Sequence, residues 1–381
     1  MRLRRSARRG PFQLTAIARA ALVVLFALSV GACAAFGPGP GGALSWDDLP
    51  GWRDAPVKSA WPALLNSCSK LRGVDTRWSA ICDDASFITA PDDAVARAFF
   101  ERHFEPHLQR GSFFRSRALV TGYYEPLLHG NWTRTERYRY PIYRAPDDLL
   151  TVDLGALYPE LKNKRVRGRL SGRRVVPYYS RGDIESEPRP LKGNELLWVD
   201  DPVALFVLQV QGSGRVQLPS GETVAIGYAE QNGYPYTAIG RTLVERAGFK
   251  LDEIDLPKIR AWLADHPEQA QAVMNTNQSY VFFALRDPAL PGPLGAFGVP
   301  LFPERAIAVD PAYIPLGLPM WLDTELPSGS QPYRQLVFAH DTGGAIKGPL
   351  RADFFFGAGP RAEEYAGRMR EPGKLYVLLP R

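Results

Sequence analysis

Two aspartates, Asp341 and Asp353, lie twelve residues apart near the C-terminus, in the stretch Q-L-V-F-A-H-D-T-G-G-A-I-K-G-P-L-R-A-D-F-F-F-G over 335–357. Asp341 opens a glycine-rich turn, and Asp353 sits between Arg351 and the run Phe354, Phe355, Phe356. A carboxyl taken out of water, or placed beside a second carboxylate, keeps its proton to higher pH. Two carboxyls in unlike surroundings can therefore divide acid and base roles between them. The plainer alternative is a solvated turn aspartate and an ion pair between Arg351 and Asp353. Spacing alone leaves both open.

Other chemistries fit poorly. Asp341-Thr342-Gly343 matches the aspartic-protease triplet, but that enzyme needs two such aspartates sharing a proton. The chain has one copy, and its 381 residues are too many for the two-chain form. Its five histidines, His103, His107, His129, His266 and His340, form no Cys/His cluster. His103–His107 resembles H-E-x-x-H only superficially, because the Glu is misplaced and Pro106 would break the presenting helix. G-x-S-x-G is absent, and Gly212-Ser213-Gly214 lacks the lysine of a phosphate loop. No metal and no cofactor is called for. What remains suits a carbohydrate. Amides stand at Gln209, Gln211, Asn232, Asn275, Asn277 and Gln278, with Tyr234, Tyr236 and Tyr280 close by. Amides both donate to and accept from sugar hydroxyls, and aromatic faces stack on pyranose rings.

These residues need a scaffold. Leu336–Ala339 reads as a strand that delivers Asp341, and Ala118–Glu125 as a strand running into a glycine turn. Gln209–Leu218 is strand-like and turns at Pro219–Glu222 into Thr223–Tyr228. Asp200-Asp201-Pro202 starts a short helical turn. Helical patterns cover Pro56–Leu71, Asp92–Gln109 with an end or bend at Pro106, Thr237–Ala247, Leu256–Ala264, Pro267–Met274 and Arg361–Met369. The charged stretch Pro146–Glu187 reads as a surface excursion or the entry to a second domain. With 34 Pro and 35 Gly, the chain is broken into short pieces, many of them strands. The expected class is mainly β, with a barrel architecture and few helices.

The net charge of +6 misleads. Residues 1–32 carry Arg2, Arg4, Arg5, Arg8, Arg9 and Arg19 with no acid, and the remainder balances 40 basic against 40 acidic residues. Nucleic acid is therefore not an expected partner. The apolar run Ala20–Val30 is short for a bilayer span. Val30-Gly31-Ala32-Cys33 looks like a bacterial lipobox, which makes 1–32 a signal peptide and Cys33 the lipidated N-terminus. Ala34 favours outer-membrane sorting by the same resemblance. Residues 33–48 then read as a flexible tether. Cys68 and Cys82 would close a short loop as a disulfide, contributing ~3 kcal/mol, or remain two buried thiols.

Taken together, T-G-Y-Y-E-P (121–126), W-V-D-D-P (198–202), L-Q-V-Q-G-S-G-R-V-Q-L (208–218), G-Y-A-E-Q-N-G-Y-P-Y-T-A-I-G-R (227–241) and M-N-T-N-Q-S-Y-V-F-F (274–283) resemble the membrane-bound lytic murein transglycosylase A family. The opening stretch continues the resemblance, as a C-terminal 3D domain. The resemblance implies a double-psi β-barrel from 49–145 plus 288–381, a glycan-binding β-domain inserted at 146–287, and a groove between them. It implies a lyase, a peptidoglycan lytic exotransglycosylase, which cleaves the β-1,4 MurNAc–GlcNAc bond without water and leaves 1,6-anhydro ends during wall turnover. Asp353 matches the catalytic position, general acid and then base, with Asp341 as the charge that tunes it. Substrate binding is expected of Thr121, Tyr123, Tyr124, Gln209, Gln211, Ser213, Asn232, Tyr236, Asn275, Gly343 and Gly344. The expected partners are peptidoglycan glycan strands, the outer membrane through the lipid anchor on its periplasmic side, and other murein synthases or hydrolases. A hydrolytic muramidase, with Glu125 as second carboxylate, and a non-catalytic murein-binding lipoprotein are the competing classes.

Overall fold

The computed structural model describes residues 37–381 apart from 162–165, 251–252, 328 and 330. The expected signal peptide and Cys33 lie outside the described residues. The chain enters as strand β1 (Gly39–Ala43) and forms helices α1 (Trp61–Leu71), α2 (Thr76–Ser86) and α3 (Asp93–His103). Asp75 and Asp92 cap α2 and α3 by accepting from the backbone N–H of Trp78 and Val95. Cys68 on α1 and Cys82 on α2 are disulfide-bonded, with Cα atoms 5.3 Å apart. Strands β2 (Phe104–Arg110) and β3 (Ala118–Glu125) follow. Helix α3 stops ahead of Pro106, which cannot donate to a helix and favours an extended residue before it.

The chain then crosses into a second unit. Strands β4 (Leu127–Asn131) and β5 (Tyr140–Tyr143) precede a small separate sheet of β6 (Leu150–Val152), β7 (Val166–Ser171) and β8 (Arg174–Val176). Helix α4 (Arg181–Glu185), β9 (Glu195–Val199), α5 (Pro202–Gln211), β10 (Ser213–Gln217) and β11 (Thr223–Gln231) come next. Helices α6 (Ile239–Ala247), α7 (Leu256–Asp265) and α8 (Pro267–Met274) lead to β12 (Val281–Arg286). The sheet runs β12-β11-β10-β4-β9-β5 and packs Leu128, Ile142, Leu197, Val216 and Phe283 against Leu205 and Leu208 of α5.

The return segment supplies β13 (Ala306–Ala308), β14 (Pro319–Glu325), β15 (Pro332–Asp341), β16 (Arg351–Ala358), helix α9 (Pro360–Arg368) and β17 (Arg370–Pro380). Strand pairing runs β17-β14-β15-β13-β16-β3, and β3 pairs back onto β17. The sheet thus closes on itself as a barrel, which removes the ring's free edges. Strands β2 and β1 extend it along β17. Trp52, Trp321, Phe100, Phe104 and Phe338 fill the core between the barrel and the N-terminal helices.

Three expectations change. The tether is partly a strand: Gly39–Ala43 pairs with β2, because edge pairing uses the backbone alone and tolerates Pro40 at an edge. The second unit begins near Pro126 rather than at 146, because β4 pairs with β9 and β10, and β5 with β9. Gln209–Gln211 is helix rather than strand. Asp201 caps α5 by accepting from Val203 and Ala204, the apolar run 203–208 propagates it, and Gly212 at φ +81° ends it. Amides two apart only imitate strand alternation.

Candidate active site

Four strands line up the chemistry. Ala308 on β13 pairs with Asp341 on β15 and with Asp353 on β16, and Asp353 pairs with Thr121 on β3. The row therefore reads Asp341, Ala308, Asp353, Thr121. A register slip next to Ala308 makes the row possible: Ile307 faces Ala339, yet Ala308 faces Asp341. His340 is the extra residue of a β-bulge, and bulges re-aim the side chains that follow them. Without it Ala308 would face His340, and Asp341 would point to the other side of the sheet.

His340 is fully buried, stacked on Phe297, with Nε2 2.8 Å from Ser67 Oγ. Ser67 gives its one hydroxyl proton to the Gly317 carbonyl at 2.8 Å, so His340 Nε2 carries the N–H. Nδ1 is left as a lone pair in the core without a partner. Burial lowers the His340 pKa to about 4.

Asp341 is held from three sides. Tyr123 donates its hydroxyl to Oδ2 at 2.9 Å, and the backbone N–H groups of Ala296 and Thr342 donate to Oδ1 at 2.9 Å. Burial raises its pKa above the ordinary carboxylate value, and the three donors oppose that rise. Asp353 is tuned further. Burial lifts its pKa to about 6, against the pull of the Thr121 hydroxyl and the Arg351 charge, with Asp341 adding to the rise. A shift of this size corresponds to roughly 3 kcal/mol favouring the protonated form.

Arg351 donates from Nη2 to Thr121 Oγ1 at 2.8 Å and from Nη1 to the carbonyls of Ala352 and Leu119, rather than to the Asp353 carboxylate. Thr121 in turn donates to Asp353 Oδ1. The hydroxyl therefore relays the arginine charge instead of the two forming an ion pair. With Oδ1 accepting from Thr121, the mobile proton of Asp353 resides on Oδ2.

The other expected site residues separate into two groups. Tyr236, 37 % exposed, feels the Asp353 charge, and its Cβ lies 3.6 Å from where a side chain on Gly344 would begin. The loop of the second unit that carries Tyr236 thus lies against the 343–344 turn of the barrel. Gly343 has no room for a Cβ, which would meet Ile346 at 2.6 Å. Asn275 caps the end of α8 on the second unit and accepts from Gln271.

The remaining polar residues are buried or hydrogen-bonded within the chain. Asn232, buried, donates to the carbonyls of Tyr179 and Gln278 and accepts from the N–H of Tyr280 and Tyr234. Gln209 is buried on α5, and Gln211 accepts from the N–H of Tyr124 at 2.9 Å. Ser213 is buried at the start of β10. The Tyr124 hydroxyl sits between Arg260 of α7 and Glu363 of α9, where it ties the two units together. Glu125 is buried and paired with Arg215 at 2.9 Å, so it does not present a carboxylate to a water. Two supporting residues escaped the sequence reading. Asp310 accepts from the N–H of Gly348 at 2.7 Å and pins the turn before β16. Ala296 reaches Asp341 through its backbone alone, so no side-chain signal could have marked it.

Known proteins place this arrangement. Residues 119–284 match the MltA specific insert domain, and residues 305–379 match the 3D domain. The membrane-bound lytic murein transglycosylase A of Escherichia coli K12 is 31% identical over 266 residues, 68% of this chain and 64% of its own length. The match therefore spans less than two thirds of that relative. MltA from Neisseria gonorrhoeae has a TM-score of 0.78 at 34% identity, over 91% of this chain and 95% of that one. The membrane-bound lytic murein transglycosylase from Agrobacterium tumefaciens gives 0.79 at 32%, over 91% and 98%. E. coli MltA with bound chitohexaose, 24% identical with a TM-score of 0.66 over 90% and 96%, shares the fold.

Proposed function

From the premise that this chain belongs to the membrane-bound lytic murein transglycosylase A family, we propose that it cleaves the β-1,4 MurNAc–GlcNAc bond of peptidoglycan without water. The carrying observation is the Asp341–Ala308–Asp353–Thr121 row, in which burial holds the Asp353 pKa near 6. Asp353 gives its Oδ2 proton to the glycosidic oxygen as the C1–O bond breaks. The C6 hydroxyl oxygen of the muramoyl residue then bonds to C1, and its proton passes to the Asp353 carboxylate. The proton count closes, the acid is restored, and a 1,6-anhydro ring remains. A sugar that supplies its own nucleophile removes the need for the second carboxylate of ordinary glycosidases.

Asp341, fixed by Tyr123 and two backbone donors, supplies negative charge near the oxocarbenium-like centre and keeps Asp353 protonated. The second unit grips the glycan, with Tyr236 beside the 343–344 turn. Glycan binding in the E. coli structure, where chitohexaose is bound, is extended to this chain as part of the proposal. No helix among the described residues is long and apolar enough to cross a membrane. Attachment through a lipid on Cys33, at the periplasmic face of the outer membrane, is part of the proposal and rests on the lipobox-like run Val30–Cys33.

The test is digestion of purified sacculi with mass spectrometry of the products. Anhydro-ended muropeptides are expected. Reducing ends would assign a hydrolase, and no release would assign a binder. Asp341→Asn should be severely impaired while keeping a trace of activity.

A further inference from the structure

Along the sequence, basic residues are concentrated in one further stretch. Between Lys162 and Arg174 the sequence carries seven basic residues, Lys162, Lys164, Arg165, Arg167, Arg169, Arg173 and Arg174, and no acid. Beyond its first 32 residues the chain holds 40 basic and 40 acidic residues, so outside this run the acids outnumber the bases.

The β7–β8 hairpin displays part of it. Its base is fastened to the end of β11 and the turn that follows it. Arg167 pairs with Glu230 at 2.8 Å, and its Cβ lies 2.6 Å from where a side chain on Gly233 would begin. Gly233 precedes the loop that carries Tyr236 towards Asp353. Arg169 covers the ring of Tyr179 at 4.3 Å.

The tip differs from the base. Arg173 and Arg174 are exposed and enter no ion pair among the described residues. Leu170 and Val175 face each other across the two strands, yet are 63% and 53% exposed. Cross-strand apolar pairs normally gain by shielding one another from water. Here both remain open beside two unpaired guanidinium groups. From Arg167 to the turn the hairpin extends roughly 15 Å at the rise of a strand.

Resting on the proposed glycan substrate, we infer that this hairpin reads the peptide stems carried by the strand in the groove. Those stems are short, rich in alanine and bear free carboxylates. Guanidinium groups form charge-assisted, often bidentate hydrogen bonds with carboxylates, and the Leu170–Val175 pair offers a surface for alanine methyls. Electrostatic complementarity of this kind contributes selectivity and capture more than tight binding.

Binding can be measured apart from catalysis in full-length Asp353→Asn protein. Sacculi bearing stems are compared with sacculi stripped of them by an amidase. Adding Arg173→Glu and Arg174→Glu should weaken binding to stem-bearing polymer by about tenfold, an effect that shrinks as salt rises. Binding to stripped glycan should stay within about twofold of the parent. Arg173→Lys with Arg174→Lys should retain most of the preference. Equal binding losses on both polymers, or none on either, overturns the inference. So does a loss confined to phosphatidylglycerol vesicles, which would give the hairpin to the membrane. Failure of the parent to bind stripped glycan would count against the groove, because the hairpin is judged only by the difference between polymers.

Discussion

In the barrel, Asp341 and Asp353 stand in one row across neighbouring strands, and Asp353 keeps one oxygen free of the Thr121 hydrogen bond. In the second unit, Asn232 is just as polar but satisfies two carbonyls and two N–H groups of its own chain. Both regions bury polar atoms, and buried polar atoms need partners. The barrel buries its carboxyls, and burial, opposed by their donors, raises the pKa of both. The second unit satisfies Asn232 fully, and a loop pinned to its neighbours is the consequence. Polarity alone therefore does not mark a site. What separates the two regions is the hydrogen-bonding capacity left over after folding.

Substitution should affect function in one region and stability in the other. Asp353→Asn should cut anhydro-product release by about 10²–10⁴-fold, the usual contribution of a positioned acid–base group, with a melting temperature that does not fall. Wild-type turnover in that variant would remove the barrel from the comparison. Asn232→Ala should do the reverse, costing about 2–4 kcal/mol of stability by orphaning backbone groups while kcat survives. Chemical denaturation with a product assay on the same sample checks both.

His340 allows a test by pH. Its folded pKa of about 4 lies below the unfolded 6.5, so the native state binds fewer protons in between. Stability from this group is whole above pH 6.5 and is lost as pH falls towards 4, by roughly 3 kcal/mol in all. His340→Leu should flatten that acid limb in pH-dependent unfolding. An unchanged limb would mean that the bulge residue is not the titrating group.

The smallest expected effect concerns the relay. Asp353 acts as an acid only while protonated, so kcat/KM should fall as pH rises through about 6. Thr121→Val removes a donor that favours the carboxylate and should move that fall upward by about one pH unit. A pH–rate profile in which the alkaline limb stays in place would show that Arg351 acts on Asp353 directly.

Much of this was readable in advance where the signal is local. A helix beginning at Asp92, Ala118–Glu125 as a strand and the apolar run before Asp341 all follow from neighbours in sequence. Gln209 and Gln211 misled because a period of two in amides competes with a cap and an apolar run that together specify a helix. The tether misled because a glycine–proline segment can still donate and accept through its backbone.

The sequence by itself determined which residues are capable of the chemistry: two aspartates in unlike company, a glycine turn between them, and a threonine and tyrosines on an early strand. Only the tertiary structure decided which of them meet. Thr121 and Asp353 are 232 residues apart in the chain, and Tyr123 and Asp341 are 218 apart. Those meetings depend on closure of the barrel and on a one-residue bulge at His340. Register between distant strands is a property of the whole packed sheet, in which shifting by one residue turns every side chain to the opposite face. No local pattern carries that information.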